Sequence, residues 1–485
     1  MTKLLWDSLH ALPPSIKRPT YTRETVRSSI VHFGVGNFHR AHQAAYCDAL
    51  LNRGETDWGI IGVSMRSPAI RDRLEPQDYL YTQLILGEKS EYRILGAISK
   101  IIVASEAPGA VIDAVANSDT ALVTCTITEK GYCLESDELN RNHPDFAQDL
   151  RSLARPLTIY GFIAAALIAR AHLSGAPLTV LCCDNLNAGG DKLRIGVERV
   201  LQAHSNAALE WTREHVAFCS SMVDRVTPAT SDELITRVAS ELGCSDGAPV
   251  ATEPFTQWVI EDRFIGRKPP FDEVGALFVP DIAPYERAKL RLLNAGHSIL
   301  AALGYLAGDT FVHEALARPD FAKFTQQTLE QEILPVTLLP TTINGTAAID
   351  AALARFRNIH LPYAVLQVNS DSSQKILQRW IPAINDALEQ GKSTNRLEFA
   401  LGAWVAALRK AANKDEIVDP LREQISSYTH QQEESITRAY LSLVGAQTSR
   451  CFHCDELVRA ADSHVKNIEN LGIERAMMIN ATNNN

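Results

Sequence analysis

Between residues 28 and 185 the apolar positions fall into short runs rich in Val, Ile and Leu, separated by stretches in which they recur every three or four residues. Such runs suit strands buried on both faces, and the stretches suit amphipathic helices. Their alternation predicts βαβ units around a parallel sheet, an α/β fold. Residues 28–36, SSIVHFGVG, read as a first strand entering a glycine turn, and the helical pattern HRAHQAAYCDALLNRG follows. WGIIGVS from Trp58 reads as a second strand. DYLYTQLILGEKSEYRILGAI alternates apolar and polar positions about a GEKS turn, which predicts an antiparallel hairpin inserted in the sheet. ALVTCTIT (121–128) and PLTVLCCDN (177–185) read as further core strands, each leading into a polar turn, with a helix over Leu157–Leu173 connecting toward the latter.

After Pro280 the pattern becomes helical and stays so to about residue 475, broken by the loops LPTTING and HLP. Two domains are expected: a Rossmann-type unit over 1–280 and an all-α unit over 281–485, ending in the polar, frayed tail INATNNN. The length agrees, since 485 residues exceed the one core that about 100–200 residues build.

Composition narrows the function classes. With 46% apolar and 21% charged residues the chain is an ordinary globular protein. Its formal net charge of −10 argues against a nucleic-acid surface, which needs clustered Lys and Arg. No apolar run approaches the roughly 20 residues of a membrane span, and MTKLLWDSLHALPPS lacks the marks of a leader, so a cytoplasmic location is expected. Nine scattered cysteines suggest reduced thiols. Cys451 and Cys454 form a CxxC without a second ligand pair nearby, which favours a structural or incidental role over a metal or redox one.

Gly34-Val35-Gly36-Asn37-Phe38 stands between the first strand and the first helix, where a dinucleotide-binding turn belongs, although the third glycine of GxGxxG is missing. The second strand runs out at Ser64-Met65-Arg66-Ser67 without the carboxylate that holds a ribose 2′-hydroxyl, so Arg66 can face a 2′-phosphate and both NAD and NADP stay open; Arg66 as a solvated loop residue is the plain alternative. In PYERAKLRLLNAGHSILAALGYLAG the spacing predicts an amphipathic helix from just after Pro284. At about 100° per residue, Lys289, Asn294 and His297 span an arc of roughly 140°, with Glu286 on the neighbouring stripe; a merely solvated polar face has the same geometry.

GVGNFHRAHQAAY, TITEKGY, CDN (183–185), MVDRVTP, EPFTQWVIEDRF and KLRLLNAGHS follow one another in order, and the chain resembles the mannitol dehydrogenase family, the polyol-specific long-chain dehydrogenases, from about residue 28 to 380. The resemblance implies a Rossmann-type domain followed by a helical one, a nicotinamide cofactor, no metal, and a monomer. It implies that Lys289 is the general base, that Asn185 and Asn294 hold the developing alkoxide with their amides, and that His297 orients substrate hydroxyls. Glu129 would relay the proton to solvent, and Asp224 and Lys375 would lie near the substrate; Asp224 and Glu129 also suit an ordinary pairing with an arginine such as Arg225. The small-molecule substrate implied is a linear sugar acid or polyol. TEKGYC and DSSQK lean toward the mannonate/fructuronate branch, and Gln367 stands where the mannitol branch carries an arginine. Mannitol/fructose and arabinitol/xylulose are the alternatives, and a non-catalytic nucleotide sensor is the reading from another class. Gly296, in NAGH, departs from the family's usual residues there and suggests close approach of a ligand.

Overall fold

Six segments become the strands of one fully parallel sheet: β1 (Ile30–Phe33), β2 (Ile60–Ser64), β3 (Ile98–Val103), β4 (Leu122–Cys125), β5 (Leu178–Cys182) and β6 (Val216–Cys219). The spatial order is β6-β5-β4-β1-β2-β3. The chain therefore builds outward from β1 in one direction and then returns to start β4 on its other side. Between β1 and β4 the connections diverge to opposite faces, which opens a crevice at the carboxyl ends of the strands. Register aligns the two: Ile30 pairs with Leu122 and Phe33 with Cys125, so Gly34 and Thr126 leave the sheet side by side. Alternation along β1 sends Val31 and Phe33 into the core under the helix Ile159–Leu173 and Ile30 into the core under Gln43–Asn52.

This is a computed structural model, and it describes residues 2–135, 138–173, 175–429 and 434–483. The chain divides into two compact units, Met1–Ile282 and Ala283–Asn485. The first carries the sheet. The expected hairpin exists, Tyr81–Leu86 with Ser90–Leu95, but it is not inserted in that sheet. The open edge of β2 is taken by β3, a strand the sequence pattern did not reveal, and the hairpin pairs instead with Val250–Thr252 in a separate three-stranded sheet. The first helix also departs from expectation: Asn37–Ala41 stops at His42, and a second helix, Gln43–Asn52, starts there.

Arg170 shows how this unit treats a buried charge. Its side chain is fully buried, and its five N–H donors reach the carbonyls of Ala176, Val115, Asn117, Thr120 and Pro177 at 2.6–3.0 Å. The guanidinium thereby ties its own helix to the segments that lead into β4 and β5.

The second unit is helical. Ala295–Ala307 and Asn395–Asn413 run through its core, with Asp455–Leu471 packed on the latter. Two stretches, Lys289–Asn294 and Leu329–Ile333, are π-helical. Near their meeting point a Cβ on Gly296 would lie 2.9 Å from the Leu329 Cδ1. Gly296 therefore admits a neighbouring helix, and the expectation of a ligand at that glycine gives way to a packing role. Helical backbone continues to Asn483, into the segment expected to be a frayed tail. Among the described residues no helix is long and apolar enough to cross a membrane.

Candidate active site

The glycine turn follows β1 at the crevice. Gly34 has φ +98°, and a Cβ there would stand 2.1 Å from the Thr126 carbonyl oxygen, so no other residue fits between the two strand ends. Gly36 is different: its Cβ direction meets nothing nearer than the Gly34 oxygen at 4.0 Å. That open side, beside the first N–H groups of the helix Asn37–Ala41, fits the close approach of a dinucleotide's phosphates. The residues after Gly36 are held by the protein itself. Asn37 donates to the Pro228 carbonyl and to Thr230 Oγ1 at 3.2 and 3.0 Å and accepts from Arg40 at 2.6 Å, while Phe38 stacks on His42. Val35 is buried, against Gly62 of β2. Arg66, past the end of β2, is exposed and pairs with Asp145 at 3.2 Å, within the plain reading of a solvated loop residue.

On the other side of the crevice the loops after β4 and β5 are stapled together. Asp184 accepts hydrogen bonds from the backbone N–H of Ile127 at 2.9 Å, of Thr128 at 3.0 Å, and from the Tyr132 hydroxyl at 2.6 Å. Asn185 follows it and is exposed at the strand end. Glu129 begins a short turn, Glu129–Tyr132, directly after the stapled loop; its side chain lies outside the described residues. The Cys125 and Cys182 thiols and the Asp184 carboxylate lie within 4.8 Å of one another, but the Tyr132 hydroxyl contacts all three, at 3.3, 3.2 and 2.6 Å, and closes the group as a hydrogen-bond network. Asp224 ends a strand, Ser221–Asp224, and is buried; Arg225 turns instead to the carbonyls of Ala41 and Glu253.

In the helical unit the π turn changes the expected geometry. An α-helix would separate Lys289 and Asn294 by about 140°. Hydrogen bonding from residue i+5 to residue i sets positions five apart one above the other, so the π stretch Lys289–Asn294 brings these two onto one stripe, and His297 follows a turn later in α-helix. All three are partly buried. The His297 ring is stacked on Phe356 at 4.6 Å and edge-on to Tyr363 at 4.7 Å. Burial, reinforced by the charges of Arg379, Arg355 and Lys375, lowers its pKa to about 3, so the imidazole is neutral at physiological pH, and its buried Nε2 has no protein partner. Lys375 and Arg379 lie one turn apart on the helix Ser372–Arg379. Lys375 donates to the carbonyls of Val368 and Ser370 at 3.1 and 2.5 Å; Arg379 donates to the Asn294 carbonyl at 3.3 Å and to Ser298 Oγ at 2.6 Å. The sequence reading did not single out Arg355 or Arg379; the basic pair spaced by four on 372–379 was the available signal. Gln367 is exposed. Cys451 is buried and its thiol is pushed up to about 12 by burial; Cys454 is partly exposed, and both are free thiols.

A doubly wound parallel sheet with a glycine turn at its switch point, joined in one chain to a helical unit, is the architecture of a two-domain dinucleotide-binding protein. Residues 28–273 match the mannitol dehydrogenase Rossmann domain and residues 281–468 the mannitol dehydrogenase C-terminal domain, and the chain belongs to the mannitol dehydrogenase family. It is 39% identical over 425 residues to the mannitol 2-dehydrogenase of Phaeosphaeria nodorum, covering 84% of this chain and 74% of that one. It is 34% identical over 459 residues to the D-mannonate oxidoreductase of Escherichia coli, covering 92% and 93%. Among solved structures it superposes on Pseudomonas fluorescens mannitol 2-dehydrogenase in ternary complex with NAD and D-mannitol (TM-score 0.83, 34% identity, 98% and 99% covered). It also superposes on a substrate-free D-sorbitol dehydrogenase (TM-score 0.90, 27% identity, 98% and 100% covered).

Proposed function

We propose that this chain is an NAD- or NADP-dependent oxidoreductase that interconverts a secondary alcohol of a linear sugar acid, D-mannonate or a close relative, with its ketone. The observation that carries the reaction type is the π turn that aligns Lys289, Asn294 and His297. When bound, the nicotinamide supplies the acceptor or donor of the hydride. Lys289 takes the hydroxyl proton as general base; an unperturbed lysine near pKa 10.4 is a weak base at neutral pH, and a desolvated, electropositive surround is what lowers it. The amides of Asn185 and Asn294 donate to the oxygen as negative charge grows, a contribution of about 3 kcal/mol per donor in comparable oxyanion sites. Neutral His297 offers Nε2 to a neighbouring hydroxyl. Glu129 is assigned the proton exit, and Asp224 a place near the substrate.

Three cations around His297 favour an anionic substrate over a neutral one, and the alignment with the D-mannonate oxidoreductase spans more of both chains than that with the fungal mannitol enzyme. The 39% identity to mannitol 2-dehydrogenase supports the second reading, D-mannitol and D-fructose. Reduction of D-fructuronate and of D-fructose, each with NADH and NADPH, separates the two. A kcat/KM for fructuronate at least tenfold above that for fructose is expected; the reverse order establishes the mannitol reading. No turnover of any polyol, aldonate or ketose, with cofactor binding intact, establishes the sensor.

A further inference from the structure

We propose that Arg379 receives the carboxylate of the substrate and so determines the choice of a sugar acid over a neutral polyol. The assignment rests on the sugar-acid reading above and goes beyond it to a residue.

A desolvated guanidinium is costly unless its charge is met and its donors are used. Arg170 and Arg379 both have their pKa lowered to about 10 by burial, and no carboxylate pairs with either. Arg170 answers the cost with five carbonyl oxygens. Arg379 has two acceptors, the Asn294 carbonyl and Ser298 Oγ, and both are reached from Nη1. Its Nε and Nη2 edge, the side of the fork that matches the two oxygens of a carboxylate, has no acceptor in the described protein. The Nη1 bonds fix the plane of the fork and bind it to the helix that carries Asn294 and His297. Arg379 also contributes the largest of the charges acting on His297.

The neighbouring cations are differently employed. Lys375 spends two of its three N–H donors on the carbonyls of Val368 and Ser370, which is the work of closing a turn. Its charge adds to the field without offering a planar fork. A linear sugar acid carries one full negative charge at a chain end, several carbons from the carbinol that reacts. A rigid fork beside the hydroxyl-orienting histidine can bind that end while leaving the carbinol to Lys289. A neutral polyol presents only a hydroxyl there and gains no charge-assisted pair in return for displacing water from the fork, which disfavours it against the acid.

The test compares the wild type with Arg379→Gln, Arg379→Lys and Ser298→Ala, each checked for an unchanged melting curve. Readouts are kcat/KM for D-fructuronate and D-fructose, and D-mannonate binding by calorimetry. Arg379→Gln is expected to lower kcat/KM for fructuronate by about 100-fold, mostly through KM, the size of a lost charge-assisted hydrogen bond, and to lower the fructuronate-to-fructose ratio by at least about tenfold. Mannonate binding weakens in parallel. Arg379→Lys, which keeps the charge and loses the fork, falls between, and it carries the test should the glutamine variant not fold. Ser298→Ala, which removes one of the two Nη1 acceptors and leaves the open edge in place, is expected to lower the acid-to-neutral ratio by much less than Arg379→Gln does. Equal losses for both ketoses in the Arg379 variants, or a ratio that follows Ser298→Ala as closely as Arg379→Gln, overturn the assignment and make Arg379 a positioning residue. A wild type that reduces fructose and binds no mannonate overturns the sugar-acid reading itself, and the assignment with it.

Discussion

Around Asp184 and around Arg170, in the first unit, polar groups are closed upon one another; along the π turn of the second unit two are left open. Asp184 accepts three hydrogen bonds, Tyr132 joins it to two thiols, and Arg170 has an acceptor for every donor. His297 keeps a buried nitrogen without a protein partner, and Arg379 keeps one edge of its guanidinium. The contrast separates two uses of the same residue types. A saturated network fixes backbone and is indifferent to what binds nearby, whereas an unsaturated one is stabilised only when a ligand completes it. Substitutions in the first region should therefore register as stability, and in the second as turnover and selectivity.

The largest effect is expected at Lys289. Lys289→Ala should reduce kcat by about 10²- to 10⁴-fold, the range of a lost general base, with NADH affinity by fluorescence titration unchanged. Near-normal turnover would remove the lysine from the mechanism. Arg170→Gln should act in the opposite sense, leaving kcat per folded molecule unaltered while lowering the unfolding free energy in urea by about 3 kcal/mol or more, because several buried carbonyls lose their donors together. A fall in kcat at full stability would erase the contrast.

The buried imidazoles cut across both regions. His32 and His297 have their pKa values lowered to about 3 by burial, and His39, stacked on His32 at 3.3 Å, is lowered well below its usual range for the same reason. Below about 6.5 the unfolded chain takes up protons that the folded chain refuses, so these groups make stability fall as pH drops below about 6.5, down to about 3 for His32 and His297. Each contributes up to about 1.4 kcal/mol per pH unit in that window. His297→Gln should flatten the acid side of the stability curve by one such slope, and should leave no ionisation near pH 6.5 missing from the rate profile, because that ring does not titrate there. The smallest effect is expected at Arg66. Its exposed pairing with Asp145 is worth less than about 1 kcal/mol, so Arg66→Ala should leave the melting temperature nearly unchanged and the ratio of kcat/KM for NADPH to that for NADH within about threefold; a larger fall in that ratio would give Arg66 the 2′-phosphate.

Hydrophobic periodicity carried the class of fold because both periods, two and about 3.6, are local properties of the chain. β1, β2, β4 and β5 and the helix holding Lys289 were legible on that basis. What periodicity does not encode is pairing. The hairpin Tyr81–Leu86 with Ser90–Leu95 was visible, but its choice of Val250–Thr252 as a neighbour depends on residues far along the chain, and β3 was hidden because an edge strand of mixed burial lacks a continuous apolar run. The candidate site divides in the same way. Lys289, Asn294 and His297 could be proposed from spacing and resemblance, but a π turn is a change in hydrogen-bond partner that leaves residue spacing untouched. Arg379 takes its meaning from Asn294 and Ser298, more than eighty positions earlier, and Gly296 from Leu329.

The π turn also gives this helix an unusual tolerance of length. Removing one residue from a continuous α-helix rotates everything beyond the cut by about 100° and turns the buried face of that segment toward solvent. A π turn already holds one residue more than the α turn it replaces. A chain shortened by one residue within 290–293 can therefore close into plain α-helix, with the flanks Ala283–Ala288 and Ala295–Ala307 still presenting their present faces. The same deletion within 299–305 has no such slack to absorb it and would pull Leu300 and Leu303 out of the core.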